Sequence, residues 1–305
     1  MKQTMRLQAL LCLILFAAPF GAAQDIAFWN VENYFENGPH FREKTRGIAK
    51  VILALADSTG SPPSAVGLCE VENEACMKAI VRNPALRKYG YRYVHFDSPD
   101  HRGIDCALLW RSRGGSPSGV CPGLGRLRAS RSIPVRYTSG VILATRSLLV
   151  VEFDSLAVVV CHLPSKRGGS SEASRRRLLA LRTLAAVCDS LAGPVVALGD
   201  FNDTRTALSD SIMAPMRELE PLSSGSARSS TPGTIKFQGE WEQIDRAFVS
   251  PESGAALFVA ALPFLSEPDK KYGGVKPRRT FIGPRYNAGL SDHYPIILSF
   301  GRHPR

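Results

Sequence analysis

Along most of the chain, short runs of Val, Ile and Leu alternate with longer stretches whose apolar positions recur at helical spacing, and most runs stop abruptly at a polar side chain. The runs at residues 26–29, 65–68, 91–96, 104–110, 148–153, 156–161, 195–198, 243–249 and 295–300 predict strands. The stretches at 41–56, 74–81 and 172–191 predict helices. Only Asp154-Ser155 separates two of the strands, which leaves no room for a helix, so antiparallel hairpins must be mixed with helical connections. The expected class is a mixed α/β layered protein. Residues 111–129, crowded with Gly, Pro, Ser and Arg, and 221–233, crowded with Ser, predict loops.

The first 23 residues follow a different pattern. Lys2 and Arg6 precede an apolar run that ends in Gly21, Ala22 and Ala23, the layout of a secretory signal peptide. Residues 1–23 are therefore expected to be removed on export to the periplasm or medium, with no stable membrane insertion afterwards, leaving residues 24–305 as one domain. The formal net charge of +11 falls by two once Lys2 and Arg6 leave, and a surface that basic attracts phosphates, nucleic acid or anionic lipid. Beyond Cys12 the cysteines are Cys69, Cys76, Cys106, Cys121, Cys161 and Cys188, an even number that permits disulfides in an oxidising compartment. Their spacing matches no zinc pattern, and Cys69, Cys106 and Cys161 lie in apolar strand-like runs where a thiol acts as a small hydrophobe.

Chemistry-bearing side chains gather at six strand ends. Asn30 and Glu32 close the first run and Glu70 the second; His162 follows Cys161; Asp200 and Asn202 follow Gly199; Asp245 lies in Gln243-Ile244-Asp245-Arg246; Asp292-His293 precede the last run. One Asp or Asn at a strand end usually makes a turn. Six ends with Glu, His and Asn in company instead suggest a single pocket at one edge of a sheet. Carboxylate and amide oxygens suit a hard cation such as Mg²⁺, which neutralises phosphate charge during displacement at phosphorus. A histidine with a second carboxylate provides proton transfer near neutral pH.

Gly199-Asp200-Phe201-Asn202 and Ser291-Asp292-His293-Tyr294-Pro295-Ile296, with Asn30, Glu70, His162 and Asp245 in the matching order, resemble the endonuclease/exonuclease/phosphatase superfamily over nearly the whole of residues 24–305. That resemblance implies a four-layer α/β/β/α sandwich with two mixed β-sheets packed face to face and the active site at one end of the sheets. It implies Glu70 as principal metal ligand, with Asn30 and Asp292 close to the metal or its waters, and Mg²⁺ as the ion, Mn²⁺ or Ca²⁺ being the alternatives. Asp200 would orient or deprotonate the attacking water and Asn202 would hold it or a phosphate oxygen. His293 would contact the scissile phosphate with Asp245 orienting its ring, and His162 would bind the phosphate or protonate the leaving oxygen. Arg102-Gly103-Ile104-Asp105 and Ser165-Lys166-Arg167-Gly168-Gly169 resemble exported bacterial members more narrowly. They imply substrate-binding side chains at Arg102, Lys166 and Arg167, with Asp105 holding Arg102 or His162. Where relatives often show a Thr-Arg-acidic segment, the chain reads Thr138-Ser139-Gly140-Val141, so a substrate arginine is expected to be missing or supplied from elsewhere.

The expected activity is that of an exported, divalent-metal-dependent phosphodiesterase, first of all a nuclease with nucleic acid as substrate. The alternatives are a phosphatase or phospholipase-type phosphodiesterase acting on a small phosphorylated or lipid headgroup substrate, and a non-catalytic phosphate-binding module. Arg111, Arg113, Arg126, Arg128 and Arg131 are expected to grip a polyanion from a loop. Three consecutive arginines, Arg175-Arg176-Arg177, cannot share one helix face and are expected to be solvated.

Overall fold

The computed structural model describes residues 24–56, 60–111, 120–121, 123–165, 170–222 and 231–300. The expected signal peptide and the expected substrate residues Lys166 and Arg167 lie outside the described residues.

The strands, in chain order, are β1 (Gln24–Tyr34), β2 (Ala65–Val71), β3 (Tyr91–His95), β4 (Asp105–Arg111), β5 (Val120–Cys121), β6 (Gly125–Ile133), β7 (Leu148–Phe153), β8 (Ala157–His162), β9 (Val195–Asp200), β10 (Arg217–Glu218), β11 (Ile235–Phe237), β12 (Glu240–Glu242), β13 (Asp245–Val249), β14 (Ala255–Val259), β15 (Ser266–Pro268), β16 (Val275–Pro277), β17 (Phe281–Ile282), β18 (Arg285–Tyr286) and β19 (Ile296–Phe300). The helices are α1 (Phe41–Ala54), α2 (Glu74–Arg82), α3 (Pro84–Arg87), α4 (Ser170–Ser190) and α5 (Ala207–Ile212). Two large mixed sheets dominate, a six-stranded one in the order β14-β19-β1-β2-β4-β3 and a seven-stranded one in the order β10-β13-β9-β8-β7-β6-β5.

The central strands are apolar on both faces because each sheet is covered twice, by the other sheet and by helices. Val158, Val160, Val196 and Leu198 share a core with Phe28, Leu68 and Leu108 of the opposite sheet, and Ile48, Ile52, Met77 and Ile80 bring α1 and α2 into that cluster. A second core joins the outer face of β8 and β9, through Val159, Cys161 and Ala197, to Leu181 and Leu184 of α4. Gly199 belongs to this arrangement by necessity: a Cβ there would meet the Cys161 carbonyl oxygen at 2.1 Å. The expected α/β/β/α sandwich is the observed fold.

The six described cysteines are buried free thiols. No helix among the described residues is long and apolar enough to cross a membrane. The stretch read as a loop, residues 111–129, includes β5 and much of β6, an edge ribbon whose polar Arg-Leu-Arg-Ala-Ser-Arg sequence hides its strand character. The hairpins β11–β12, β15–β16 and β17–β18 consist of strands of two or three residues, too short for alternation to register.

Candidate active site

The register of the sheets delivers the polar strand ends to one place. β1 and β2 are parallel, as are β8 and β9, and His162 is the Cα partner of Asp200, which is in turn the partner of Asp245. Three neighbouring strands of the second sheet thus offer His, Asp and Asp in one row, facing Asn30 and Glu70 from the first sheet.

Asn30 donates its side-chain amide to Asp200 Oδ2 at 3.0 Å and to Glu70 Oε1 at 3.4 Å, while its oxygen accepts the Glu32 N–H at 2.9 Å. It therefore bridges the two carboxylates as a donor. Glu70 also accepts the Asn33 N–H at 2.9 Å. The backbone here is bent into the left-handed region at Glu32 (φ 48°), Asn33 (φ 55°), Glu70 (φ 63°) and Asn202 (φ 51°). Such conformations cost free energy for non-glycine residues and are characteristically retained at functional sites.

Asp200 accepts the Asn202 N–H at 2.8 Å, and the Asn202 side chain donates to the Leu163 carbonyl at 2.9 Å, tying the end of β9 to the end of β8. His162 Nε2 lies 3.5 Å from Asp200 and 4.0 Å from Glu70. His293 Nδ1 is 2.7 Å from Asp245 Oδ2, and its Nε2 is 3.9 Å from both Asp200 and Asp292. The turn carrying His293 is pinned by Ser291 Oγ donating to the Asn30 carbonyl at 2.6 Å and by the Trp29 indole donating to the His293 carbonyl at 2.9 Å.

Electrostatics separate the two histidines. Burial, and then the charges of Arg146, Arg102 and His293, hold His162 well below the usual histidine range, so it is neutral at pH 7. A neutral imidazole there can still donate a hydrogen bond to an oxygen. Burial alone would lower His293 too, but the charge and hydrogen bond of Asp245, followed by Asp200 and Asp292, raise it well above that range. Asp200 is pushed up to about 7, mainly by burial.

The sign of the Asp200 shift is testable on stability. A buried carboxyl that holds its proton up to about pH 7 when folded, against an ordinary value of 3.8, costs the fold progressively as pH rises through that window. In chelator, Asp200→Asn should melt close to the wild type at pH 5 and several degrees above it at pH 8. An equal difference at both pH values would place the ionisation of Asp200 elsewhere.

The arginines fall differently from expectation. Asp105 holds neither Arg102 nor His162; its carboxylate takes His95 Nε2 at 3.0 Å and the Ser98 N–H at 2.8 Å, because β4 begins beside the end of β3. Arg102 pairs with Asp100 at 3.3 Å and remains partly exposed. Arg146, in Thr145-Arg146-Ser147, is buried and joined to Asp100 at 3.1 Å and to the His162 carbonyl at 3.1 Å. It braces the end of β8. Arg177 is no solvated residue either: it binds Asp203 at 3.0 Å and the Pro164 carbonyl at 3.3 Å. Arg126 and Arg128 lie at the opposite end of the second sheet from His162, where the Arg126 amide and the Arg128 side chain engage Asp154, so they cannot extend the catalytic cleft.

The sequence reading also missed Arg279 and Lys44. Arg279 spans Glu32 at 3.3 Å and Asp292 at 2.7 Å. Lys44, buried, donates to the Glu32 carbonyl and to Thr280 Oγ1 at 2.7 Å, and burial pulls it down to about 8.

Glu70, Asp200 and Asp292 each bring a carboxylate oxygen within 4.0 Å of His162 or His293, and carboxylate oxygens suit a hard divalent cation. Asp200, Asp245 and His293 also lie close enough to share an ion.

The sequence model of the Endonuclease/Exonuclease/phosphatase family matches residues 36–302. The chain belongs to that family. Its members are metal-dependent phosphodiester hydrolases, and the acidic cluster such chemistry needs is present. No curated protein sequence matches the chain. Among solved structures, sphingomyelinase C from Streptomyces griseocarneus is similar with a TM-score of 0.60 at 14% identity, covering 92% of this chain and 100% of that one. An endonuclease/exonuclease/phosphatase family protein from Bacteroides thetaiotaomicron gives 0.58 at 15% identity, covering 92% and 99%. D. rerio TDP2 complexed with single-strand DNA product gives 0.57 at 19% identity, covering 92% and 100%. At these identities the likeness is one of fold.

Proposed function

We propose that the chain is an exported nuclease that hydrolyses nucleic-acid phosphodiester bonds with Mg²⁺ as its ion. The observation that carries the catalytic part is the convergence of the His293–Asp245 pair, Asp200, His162 and Glu70 within hydrogen-bonding or ion-pairing reach of one another. The basic net charge of +11 and a DNA-product complex in a structural neighbour support nucleic acid as the substrate.

Glu70 and Asp292 would hold the cation, with Asn30 aligning the Glu70 and Asp200 carboxylates. When bound, the ion neutralises phosphate charge and stabilises the oxygen that leaves. Asp200 accepts a proton from the water whose oxygen attacks phosphorus, while Asn202 fixes the strand ends around it. His293, kept protonated by Asp245, offers positive charge to the phosphate and gives its proton to the departing ester oxygen as the P–O bond breaks. His162 donates a neutral hydrogen bond, and Arg146 holds its strand end in place.

A lipid-headgroup phosphodiesterase is the second reading, favoured by the exposed Phe281 and Ile282 on the β17–β18 hairpin. The discriminating experiment gives the purified protein plasmid, single-stranded DNA, RNA, sphingomyelin and inositol phosphates, each with Mg²⁺, Mn²⁺, Ca²⁺ or chelator. DNA or RNA should be cut in Mg²⁺ and spared in chelator. Turnover of sphingomyelin alone, or hydrolysis unaffected by chelator, would overturn the nuclease assignment.

A further inference from the structure

The segment that follows the last arginine of the cleft combines a cation, a rigid stack of rings and an open ring face. Arg279 reaches Glu32 through Nε and Asp292 through Nη2, leaving Nη1 without a hydrogen-bond partner among the described residues. The next residue, Thr280, is buried and anchored: its N–H donates to Glu32 Oε2 at 2.6 Å, and its carbonyl accepts the Asn287 N–H at 2.8 Å. The hairpin that grows from this base therefore has a fixed position relative to the catalytic strand ends.

On that hairpin the Tyr286 ring lies flat on His40, the residue preceding α1, with centroids 3.4 Å apart and planes 6° apart. Phe281 stands beside both, 5.5 Å from Tyr286 and 6.4 Å from His40, and is 36% exposed. Arg285 on the same hairpin and Arg42 on α1 are exposed. Rings held by stacking, with cations around them, match the combination that single-stranded nucleic acid requires: charge for the backbone and flat apolar faces for the bases. A lipid-inserting tip would need apolar bulk, and beyond Phe281 and Ile282 this hairpin presents Gly283, Pro284 and Arg285.

We propose that Arg279, Phe281 and Tyr286 form a nucleotide subsite beside the catalytic cleft, with Arg279 taking the phosphate next to the scissile one and Phe281 stacking on that nucleotide's base. The inference rests on the nuclease reading and makes it more specific: the substrate is a strand with unpaired bases on that side of the cut.

The test compares kinetic constants on three substrates, with Mg²⁺ present throughout: a single-stranded oligodeoxynucleotide, the same strand carrying abasic units on both sides of one remaining cleavable linkage, and bis(4-nitrophenyl) phosphate. Phe281→Ala should raise KM for the ordinary strand about tenfold, the scale of one base–aromatic stack. On the abasic strand the same substitution should raise KM less than twofold, because the base it would stack on is gone. Phe281→Leu, which keeps apolar bulk without the ring, should behave like Phe281→Ala; melting curves will show that both variants fold.

An equal rise on both strands, no rise on the ordinary strand, or full rescue by Leu would overturn the subsite while leaving the nuclease reading intact. A wild type that hydrolyses the chromogenic diester but neither strand would bring down the nuclease reading, and the subsite with it. Wild-type binding to sphingomyelin vesicles that disappears in Phe281→Ala would make the hairpin a lipid-docking element and would also overturn the subsite.

Discussion

Replacing either Asp245 or His293 by Ala is expected to slow phosphodiester hydrolysis by roughly two orders of magnitude or more, and replacing both to cost little beyond the larger single loss. Asp245 Oδ2 and His293 Nδ1 are 2.7 Å apart in a buried setting, and the carboxylate is the first cause that raises the ring against the effect of burial. Without Asp245 the imidazole loses both its orientation and its proton. Without His293 the carboxylate has nothing to orient. Asp245→Asn separates the two contributions: it preserves shape and a hydrogen bond but removes the charge. Since a raised value keeps His293 protonated past neutrality, Asn at 245 should move the alkaline limb of the kcat/KM profile to lower pH. Losses that simply multiply in the double variant, or an alkaline limb that stays put in Asp245→Asn, would show that the pair does not act as a unit.

How far the sequence revealed this site depends on the reach of each side chain. Asn30, Glu70, His162, Asp200, Asp245 and His293 stand at or beside the ends of long apolar strands, so their position follows from where each hydrophobic run stops, and packing the two sheets brings those ends together. Their family order along the chain added the topology that periodicity lacks. Arginines are another matter. Arg279 meets Glu32 across 247 positions and Arg146 meets Asp100 across 46, and no local pattern encodes such partners. Arg128 seemed free for a polyanion because Asp154, its partner, sits on the far side of a strand pairing. Asp105 seemed free for Arg102 until the start of β4 proved to lie beside His95. In each case residue type was legible and pairing was not, because ion pairs between long side chains are properties of the assembled sheets.

The same distinction sharpens what should happen at Glu70, the carboxylate proposed to hold the cation. It is held on a left-handed backbone, φ 63°, and takes one N–H from Asn33 and one from the Asn30 amide, so its orientation is set by the protein before any ion arrives. Glu70→Gln changes the charge at nearly constant shape. At low Mg²⁺ the activity should fall by roughly two orders of magnitude or more, and high Mg²⁺ or Mn²⁺ should restore part of it, since Asp292 and Asp200 still contribute oxygens. Binding can be read without turnover: an ion that prefers the folded state raises Tm with its concentration. The wild type should therefore gain stability as Mg²⁺ is added in the millimolar range, about the concentration scale of weak oxygen-ligand sites, and Glu70→Gln should gain less at each concentration. A variant that keeps full turnover at low metal, or whose Tm follows Mg²⁺ as the wild type does, would show that the ion is held elsewhere, with the Asp200–Asp245–His293 group the next place to look.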